Sequence, residues 1–139
     1  MNKLNVKRVC IKNPSVKNYL SKNNSEQEGY LDVVYIGRAI KAKGYPELPG
    51  SPLANPYYIN KDGTREEVVE KYRRWLWEQI QGNTEAKEEL NELLKSIKFR
   101  QELNNFPLKL ACWCKEEEKC HGDIVISCLN WINENELGD

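Results

Sequence analysis

The sequence predicts an α/β fold, a single three-layer Rossmann-like domain with a small, mostly parallel sheet. Two observations lead to this prediction. Short segments rich in β-branched and aromatic residues alternate with segments of helical periodicity, in the order β, β, long loop, α, α, β, α, which is typical of parallel sheets. The length of 139 residues suits one hydrophobic core, so we expect a single domain over residues 1–139.

Three segments predict strands. "NVKRVCIKN" (5–13) alternates in polarity, and "YLDVVYIG" (30–37) is rich in β-branched and aromatic residues and ends at Gly37. "PLKLACWC" (107–114) begins at Pro107 and places Cys112 and Cys114 on one face of the strand, with Trp113 on the other.

Three further segments predict helices, "TREEVVEKYRRWLWEQIQG" (64–82), "TEAKEELNELLKSIK" (84–98) and "DIVISCLNWINE" (123–134). Thr64 and Glu67 have the spacing of a capping box at the start of the first helix. Between strand and helix, residues 38–63 contain four prolines and three glycines, which excludes a regular element over most of the segment. Because this segment also carries large apolar side chains, we expect a long ordered loop; residues 21–29 are polar and predict another loop.

Charge and composition limit the partners. The formal net charge is zero, which argues against an extended nucleic-acid surface. No apolar run is long enough to cross a membrane, and the N-terminus lacks the apolar core of a signal peptide. We therefore expect a cytoplasmic protein with neither a nucleic-acid nor a membrane partner, whose five cysteines are thiols or metal ligands. An exposed Trp77 or Trp131 would be compatible with a homodimer face.

The segment "LACWCKEEEKCHGDIV" (110–125) has three interpretations. Cys112, Cys114, Cys120 and His121 could bind zinc, although one pair of ligands is directly adjacent, which argues against a tetrahedral site. Cys120 could be a reactive thiolate at a helix N-terminus with His121 as acid or base. The cysteines could also fill the core as small apolar residues, which we favour for Cys112 and Cys128.

Two arginines, Arg38 and Arg65, predict an anion-binding site. Gly37 and Arg38 follow a strand, and Arg65 lies in the first turn of a capped helix. In parallel sheets a ligand sits at the carboxyl ends of the strands. The "YIGR" end and the Cys–His turn should meet at this edge and form a pocket for a small anionic molecule.

Four motifs resemble those of the phage and bacterial family termed domain of unknown function 4326: "VYIGR", "ANPYYI", "DGTREEVVEKYRRWL" and "LACWCKEEEKCHGDIV". The resemblance covers about residues 33–130. It implicates the following positions: Gly37, Arg38, Asn55, Pro56, Gly63, Arg65, Cys112, Cys114, Cys120, His121, Gly122 and Asp123. The chain departs from the pattern in a longer, acidic Cys–His turn, in a longer segment before Asn55, and in Ala54 where the family has glycine.

We expect the protein to bind a small phosphorylated ligand, a nucleotide or nucleotide-derived signal, as a sensor or sequestering protein. The expected ligand-binding residues are Gly37, Arg38, Asn55, Arg65, Cys114 and Asp123. One alternative is an enzyme that uses Cys120 and His121 for transfer or hydrolysis of such a substrate. The other is a zinc-stapled module that contacts protein or nucleic acid; apart from that zinc, no cofactor is expected.

Overall fold

A computed structural model describes residues 3–22, 32–115 and 117–135. Three strands, β1 (Val6–Cys10), β2 (Val33–Tyr35) and β3 (Leu108–Cys112), form one sheet in the order β1-β3-β2. Both pairings are parallel, so that β3 lies between two strands that run in its own direction. The predicted α/β class with a small parallel sheet is confirmed. Residues 30 and 31 of the predicted second strand and residues 23–29 of the predicted polar loop lie outside the described residues.

In the described part of the chain, four helices accompany the sheet: α1 (Pro14–Lys22), α2 (Arg65–Ile80), α3 (Glu85–Leu103) and α4 (His121–Asn135). The helix α1 was not predicted; it begins with Pro14, after an Asn13 side chain that accepts a hydrogen bond from the Ser15 amide at 2.9 Å. Helix α3 extends past the predicted residue 98 to Leu103, and α4 starts at His121 instead of residue 123. Within the described ranges no helix is both long and apolar enough to cross a membrane.

Side chains of β3 alternate between two separate cores. Leu108, Leu110 and Cys112 belong to the core formed with α2, α3 and α4, whereas Ala111 belongs to the core formed with α1 and the segment after β2. The sheet therefore has a helical layer on each face, as the three-layer prediction requires. Trp113 packs against the second core and Cys114 against the first, which confirms the expected alternation.

The capping box predicted for α2 is present. The Thr64 hydroxyl accepts from the Glu67 amide and the Glu67 carboxylate accepts from the Thr64 amide, at 3.2 and 2.9 Å. The segment before it, residues 38–63, contains an isolated antiparallel bridge between Ile40 and Leu48. Its Leu53 is fully buried, and the Leu53 carbonyl accepts a 2.6 Å hydrogen bond from the hydroxyl of Tyr72 on α2. These contacts attach the segment to both cores.

The carboxyl end of β2 is braced by its own tyrosine. The Tyr35 hydroxyl donates to the Arg38 carbonyl and accepts a 2.9 Å hydrogen bond from the indole Nε1 of Trp113. Tyr35 can lie there only because residue 37 is glycine, since a Cβ at that position would be 2.4 Å from the hydroxyl. The brace connects the "YIGR" and "CWC" motifs, which are far apart in the sequence.

We predict that Gly37→Ala destabilises the protein, because the added methyl group overlaps the Tyr35 ring and hydroxyl. The expected loss of unfolding free energy, measured by urea denaturation, is about 1–3 kcal/mol. The control is Gly82→Ala, where a Cβ would be 3.9 Å from its nearest neighbour, a methyl group of Thr84. Equal stability of the two variants would contradict the brace.

Candidate functional site

A cavity of about 570 Å³ lies at the carboxyl edge of the sheet, where the ends of β2 and β3 meet the first turns of α2 and α4. Seven of the eight residues predicted to bind or react line it: Gly37, Arg38, Asn55, Arg65, Cys114, Cys120 and His121. The eighth, Asp123, is not among the lining residues. The position of the cavity agrees with the general rule that ligands bind outside the carboxyl ends of parallel strands.

Basic side chains dominate the lining of this cavity. Among the residues that the structure describes, five basic ones border it, Lys12, Arg38, Arg65, Lys115 and Lys119, against one carboxylate, that of Glu118. That carboxylate is 3.2 Å from the Arg65 guanidinium and neutralises part of its charge. The chain as a whole has no net charge, so the excess of positive charge is local to this edge.

The two predicted anion-binding arginines have different environments. Arg38 is exposed, and its guanidinium stacks 3.8 Å above the Tyr58 ring while it donates to the Tyr57 carbonyl. Arg65 is half-buried, and its Nη1 lies 3.2 Å from both the Cys114 sulfur and the Lys119 carbonyl. Arg65 thus holds the turn before α4, whereas Arg38 faces the solvent side of the cavity.

Asn55 shapes the loop that closes another side of the cavity. Its side-chain carbonyl accepts a 2.9 Å hydrogen bond from the Tyr57 amide, which is the pattern of an Asx turn. The residue is 9% exposed. The "NPYY" motif therefore owes part of its shape to this hydrogen bond.

Arg8 on β1 organises the turn between β3 and α4, a role that the sequence did not predict. Its side chain is only 9% exposed, and it donates to the Lys115 carbonyl at 3.1 Å, the Glu118 carbonyl at 2.9 Å and the Asp123 carboxylate at 3.1 Å. Gly122 makes room for it, since a Cβ there would be 2.8 Å from Arg8 Cδ. The available signal was strand alternation, which puts Arg8 on the same face as Val6, a partly buried residue that packs against the first core.

Asp123 is engaged in this arrangement. Besides Arg8, its carboxylate accepts a 3.2 Å hydrogen bond from the Cys120 amide. Because acidic groups in the first turn of a helix stabilise its N-terminus, Asp123 supports the start of α4. Asp123 is not among the residues that line the cavity, and its expected role in ligand binding remains a prediction.

Three cysteine sulfurs form a cluster at the wall of the cavity. The sulfurs of Cys112, Cys114 and Cys120 lie within 4.8 Å of one another, with Cys112 and Cys120 separated by 3.3 Å. Hydrogen bonds from the Cys112 and Cys120 thiols, together with the Arg65 guanidinium, lower the pKa of Cys114 to about 2. The hydrogen bond to Cys114 raises the pKa of Cys112, and those to Cys112 and Cys114 raise the pKa of Cys120.

His121 lies beside this cluster with a defined tautomer. Its Nε2 is 2.9 Å from the Ile36 carbonyl, and because a carbonyl only accepts, Nε2 carries the proton. The unprotonated Nδ1 lies 3.5 Å from the Cys120 sulfur, and the ring meets the Tyr72 ring edge-on. Burial lowers the pKa of His121, so the imidazole is neutral at neutral pH.

The environment of Cys120 suits a structural position at the start of α4. The residue is 1% exposed, and its sulfur accepts a 3.4 Å hydrogen bond from the Gly122 amide. Of the three clustered thiols, Cys114 is the one that is only half-buried and carries the lowered pKa. The catalytic roles expected for Cys120 and His121 remain predictions.

A family model described as a domain of unknown function (DUF4326) matches residues 20–131, and the chain belongs to this family. The assignment made from the sequence motifs is thereby confirmed. No curated protein and no solved structure matches the chain.

We predict that Arg8→Lys lowers the free energy of unfolding by about 2–3 kcal/mol, because an ammonium group cannot replace the forked guanidinium at several acceptors at once. Urea denaturation provides the measurement. Arg74→Lys is the matched control, since the Arg74 side chain is 78% exposed and pairs with the exposed Glu70 at 3.7 Å. Wild-type stability of Arg8→Lys would show that the turn before α4 does not depend on the guanidinium.

Proposed function

We propose that this member of the DUF4326 family binds a small phosphorylated ligand, a nucleotide or nucleotide-derived signal, in the cavity at the carboxyl edge of its sheet. The observation that carries the proposal is the charge of the lining, which has five basic side chains and one carboxylate among its described residues, around a cavity of about 570 Å³. A volume of this size is typical of small-molecule sites.

The anionic part of the ligand would bind near Arg38 and Lys12. Both residues line the cavity and are exposed, so their charges remain available to a molecule that enters from solvent. Stacking on Tyr58 and the hydrogen bond to the Tyr57 carbonyl orient the Arg38 guanidinium in advance. A planar guanidinium held in this way suits bidentate recognition of a phosphate group.

The first turn of α4 adds to the positive electrostatic potential around the cavity. His121, the first residue of α4, lines the cavity, so the positive end of the helix dipole borders the bound molecule. Arg65 contributes mainly through its charge, because its guanidinium already contacts Cys114, Lys119 and Glu118. Arg65 thus mainly stabilises the wall of the cavity, whereas Arg38 and Lys12 face the ligand.

Aromatic side chains support a base or another flat ring in the ligand. Trp113 and Tyr57 both line the cavity and are half-buried. The Trp113 ring is fixed by the hydrogen bond to Tyr35 and by a contact with the Tyr45 ring, with centroids 4.8 Å apart. A fixed aromatic ring beside basic groups is the combination that nucleotide stacking uses.

We favour binding over turnover. An attack by Cys120 would require exposure of a residue that is 1% exposed, and proton transfer through Nε2 of His121 would break its hydrogen bond to the Ile36 carbonyl. A sensing or sequestering role needs only the cavity. Product analysis on the samples used for binding distinguishes the two functions, because an enzyme would consume the nucleotide.

We predict that a panel of nucleotides raises the melting temperature for one class of phosphorylated compound, with unphosphorylated nucleosides and inorganic phosphate as reference ligands. For that compound, Lys12→Ala and Arg38→Ala should each weaken the affinity measured by calorimetry about tenfold, the loss expected for one charged hydrogen bond. Added salt should weaken it further.

Arg74→Ala is the matched control for Arg38→Ala, since it also removes one exposed arginine but lies on α2 outside this cavity. It should bind like the wild type. Unchanged affinity of both the Lys12 and the Arg38 variant would place the ligand elsewhere, and a panel without any shift would contradict nucleotide binding.

A further inference from the structure

The three-cysteine cluster has the composition and spacing of a metal site. Cys112 ends β3, Cys114 follows it on the same face, and Cys120 directly precedes α4. Their sulfurs lie within 4.8 Å of one another, and the shortest sulfur–sulfur distance is 3.3 Å. Zinc binds cysteine at about 2.3 Å, which puts the sulfurs of a tetrahedral site roughly 3.8 Å apart. The value of roughly 3.8 Å lies between the 3.3 Å and 4.8 Å limits of the sulfur–sulfur distances in the cluster.

Each sulfur of the cluster accepts a hydrogen bond from an N–H group. Arg8 Nη1 is 3.6 Å from Cys112, Arg65 Nη1 is 3.2 Å from Cys114, and the Gly122 amide is 3.4 Å from Cys120. A neutral thiol is a weak acceptor, whereas a thiolate accepts strongly. Three separate donors, two of them cationic, are therefore placed to stabilise these sulfurs as thiolates when a metal ion displaces their protons.

Three thiolates at this distance need a cation between them. Without one, their mutual repulsion in a largely buried site would be severe. A divalent ion leaves the group with a single negative charge, which the neighbouring guanidinium groups of Arg8 and Arg65 stabilise. The arginines thereby act as outer-shell partners of the kind that stabilise metal–thiolate sites.

The three cysteines of the cluster are a smaller set than the four zinc ligands that the sequence suggests, Cys112, Cys114, Cys120 and His121. The group with mutually close ligand atoms consists of the three cysteines, so two adjacent residues need not share one ion. His121 donates through Nε2 to the Ile36 carbonyl and turns Nδ1 toward the Cys120 sulfur at 3.5 Å. His121 therefore contacts the Cys120 sulfur but lies outside the three-cysteine group.

We infer that Cys112, Cys114 and Cys120 bind one zinc ion through their sulfurs, with the fourth coordination position open to the cavity. Cys114 and Cys120 line the cavity, so the ion lies in its wall. Three protein ligands and one open position are the arrangement of reactive zinc sites, in contrast to structural sites with four protein ligands. The inference does not depend on the proposed ligand.

The test uses the full chain, purified with a reducing agent that does not chelate metals, stripped with a chelator and then supplied with Zn²⁺ alone. Elemental analysis should give one zinc per chain. Replacement by Co²⁺ should produce an intense thiolate-to-cobalt charge-transfer band and the visible bands of a tetrahedral ion. Failure to take up zinc while all five thiols are titratable would overturn the inference.

Cysteine variants locate the ion. Cys114→Ser should weaken zinc affinity by more than about a hundredfold, beyond the loss that changes in outer-shell partners cause. Cys114 is half-buried, so this variant should keep the circular dichroism spectrum of the wild type even if Cys112→Ser or Cys120→Ser fails to fold. Cys10→Ser and Cys128→Ser are matched controls, since both cysteines are half-buried and lie outside the cluster.

Both controls should retain one zinc per chain. An equal loss of zinc in Cys10→Ser or Cys128→Ser would overturn the assignment of the ligands. Zinc uptake is measured without nucleotide, so it is separate from the proposed function. Nucleotide binding without zinc uptake overturns the metal site alone, and zinc uptake without nucleotide binding supports the metal site while contradicting the proposed ligand.

Discussion

The guanidinium of Arg8 is the interaction on which the site depends. It reaches from β1 at the sheet edge across the end of β3, where it binds the carbonyls of Lys115 and Glu118 and the carboxylate of Asp123. A tight turn between a strand and a helix leaves backbone carbonyls without partners, and leaving such groups unpaired in a buried place is costly. One side chain with five donors in a fixed plane satisfies several of them together and positions the first turn of α4.

A second brace fixes the opposite wall of the cavity. The Tyr35 hydroxyl connects the Arg38 carbonyl to the Trp113 indole, and the glycine at position 37 leaves the space for it. Arg65 completes the frame from α2, through its contacts with Cys114 and the Lys119 carbonyl. Arg8 comes from β1, Tyr35 from β2 and Arg65 from α2. Because these three residues that fix the site belong to different elements, the cavity forms only when the chain is folded.

The two proposals concern neighbouring parts of one site. The basic groups that face solvent would attract a phosphorylated molecule, and the thiolate cluster in the wall would hold a zinc ion with an open position. An open zinc coordination site is a Lewis acid for a phosphoryl oxygen. A small anionic ligand would therefore meet the positive charge of the arginine and lysine side chains and the open coordination position of the zinc ion at the same edge.

Local patterns in the sequence determined the order of strands and helices from β2 onward, the capping box at Thr64 and the alternation of Cys112, Trp113 and Cys114. Each of these features depends on residues that are close together in the chain. The spacing of apolar and polar residues therefore indicates such features directly. The tertiary structure alone decided that Arg8 pairs with Asp123, across 115 positions, and that Arg65 contacts a cysteine sulfur. No local pattern encodes which distant acceptor a basic side chain reaches, because strand pairing and helix packing set that distance.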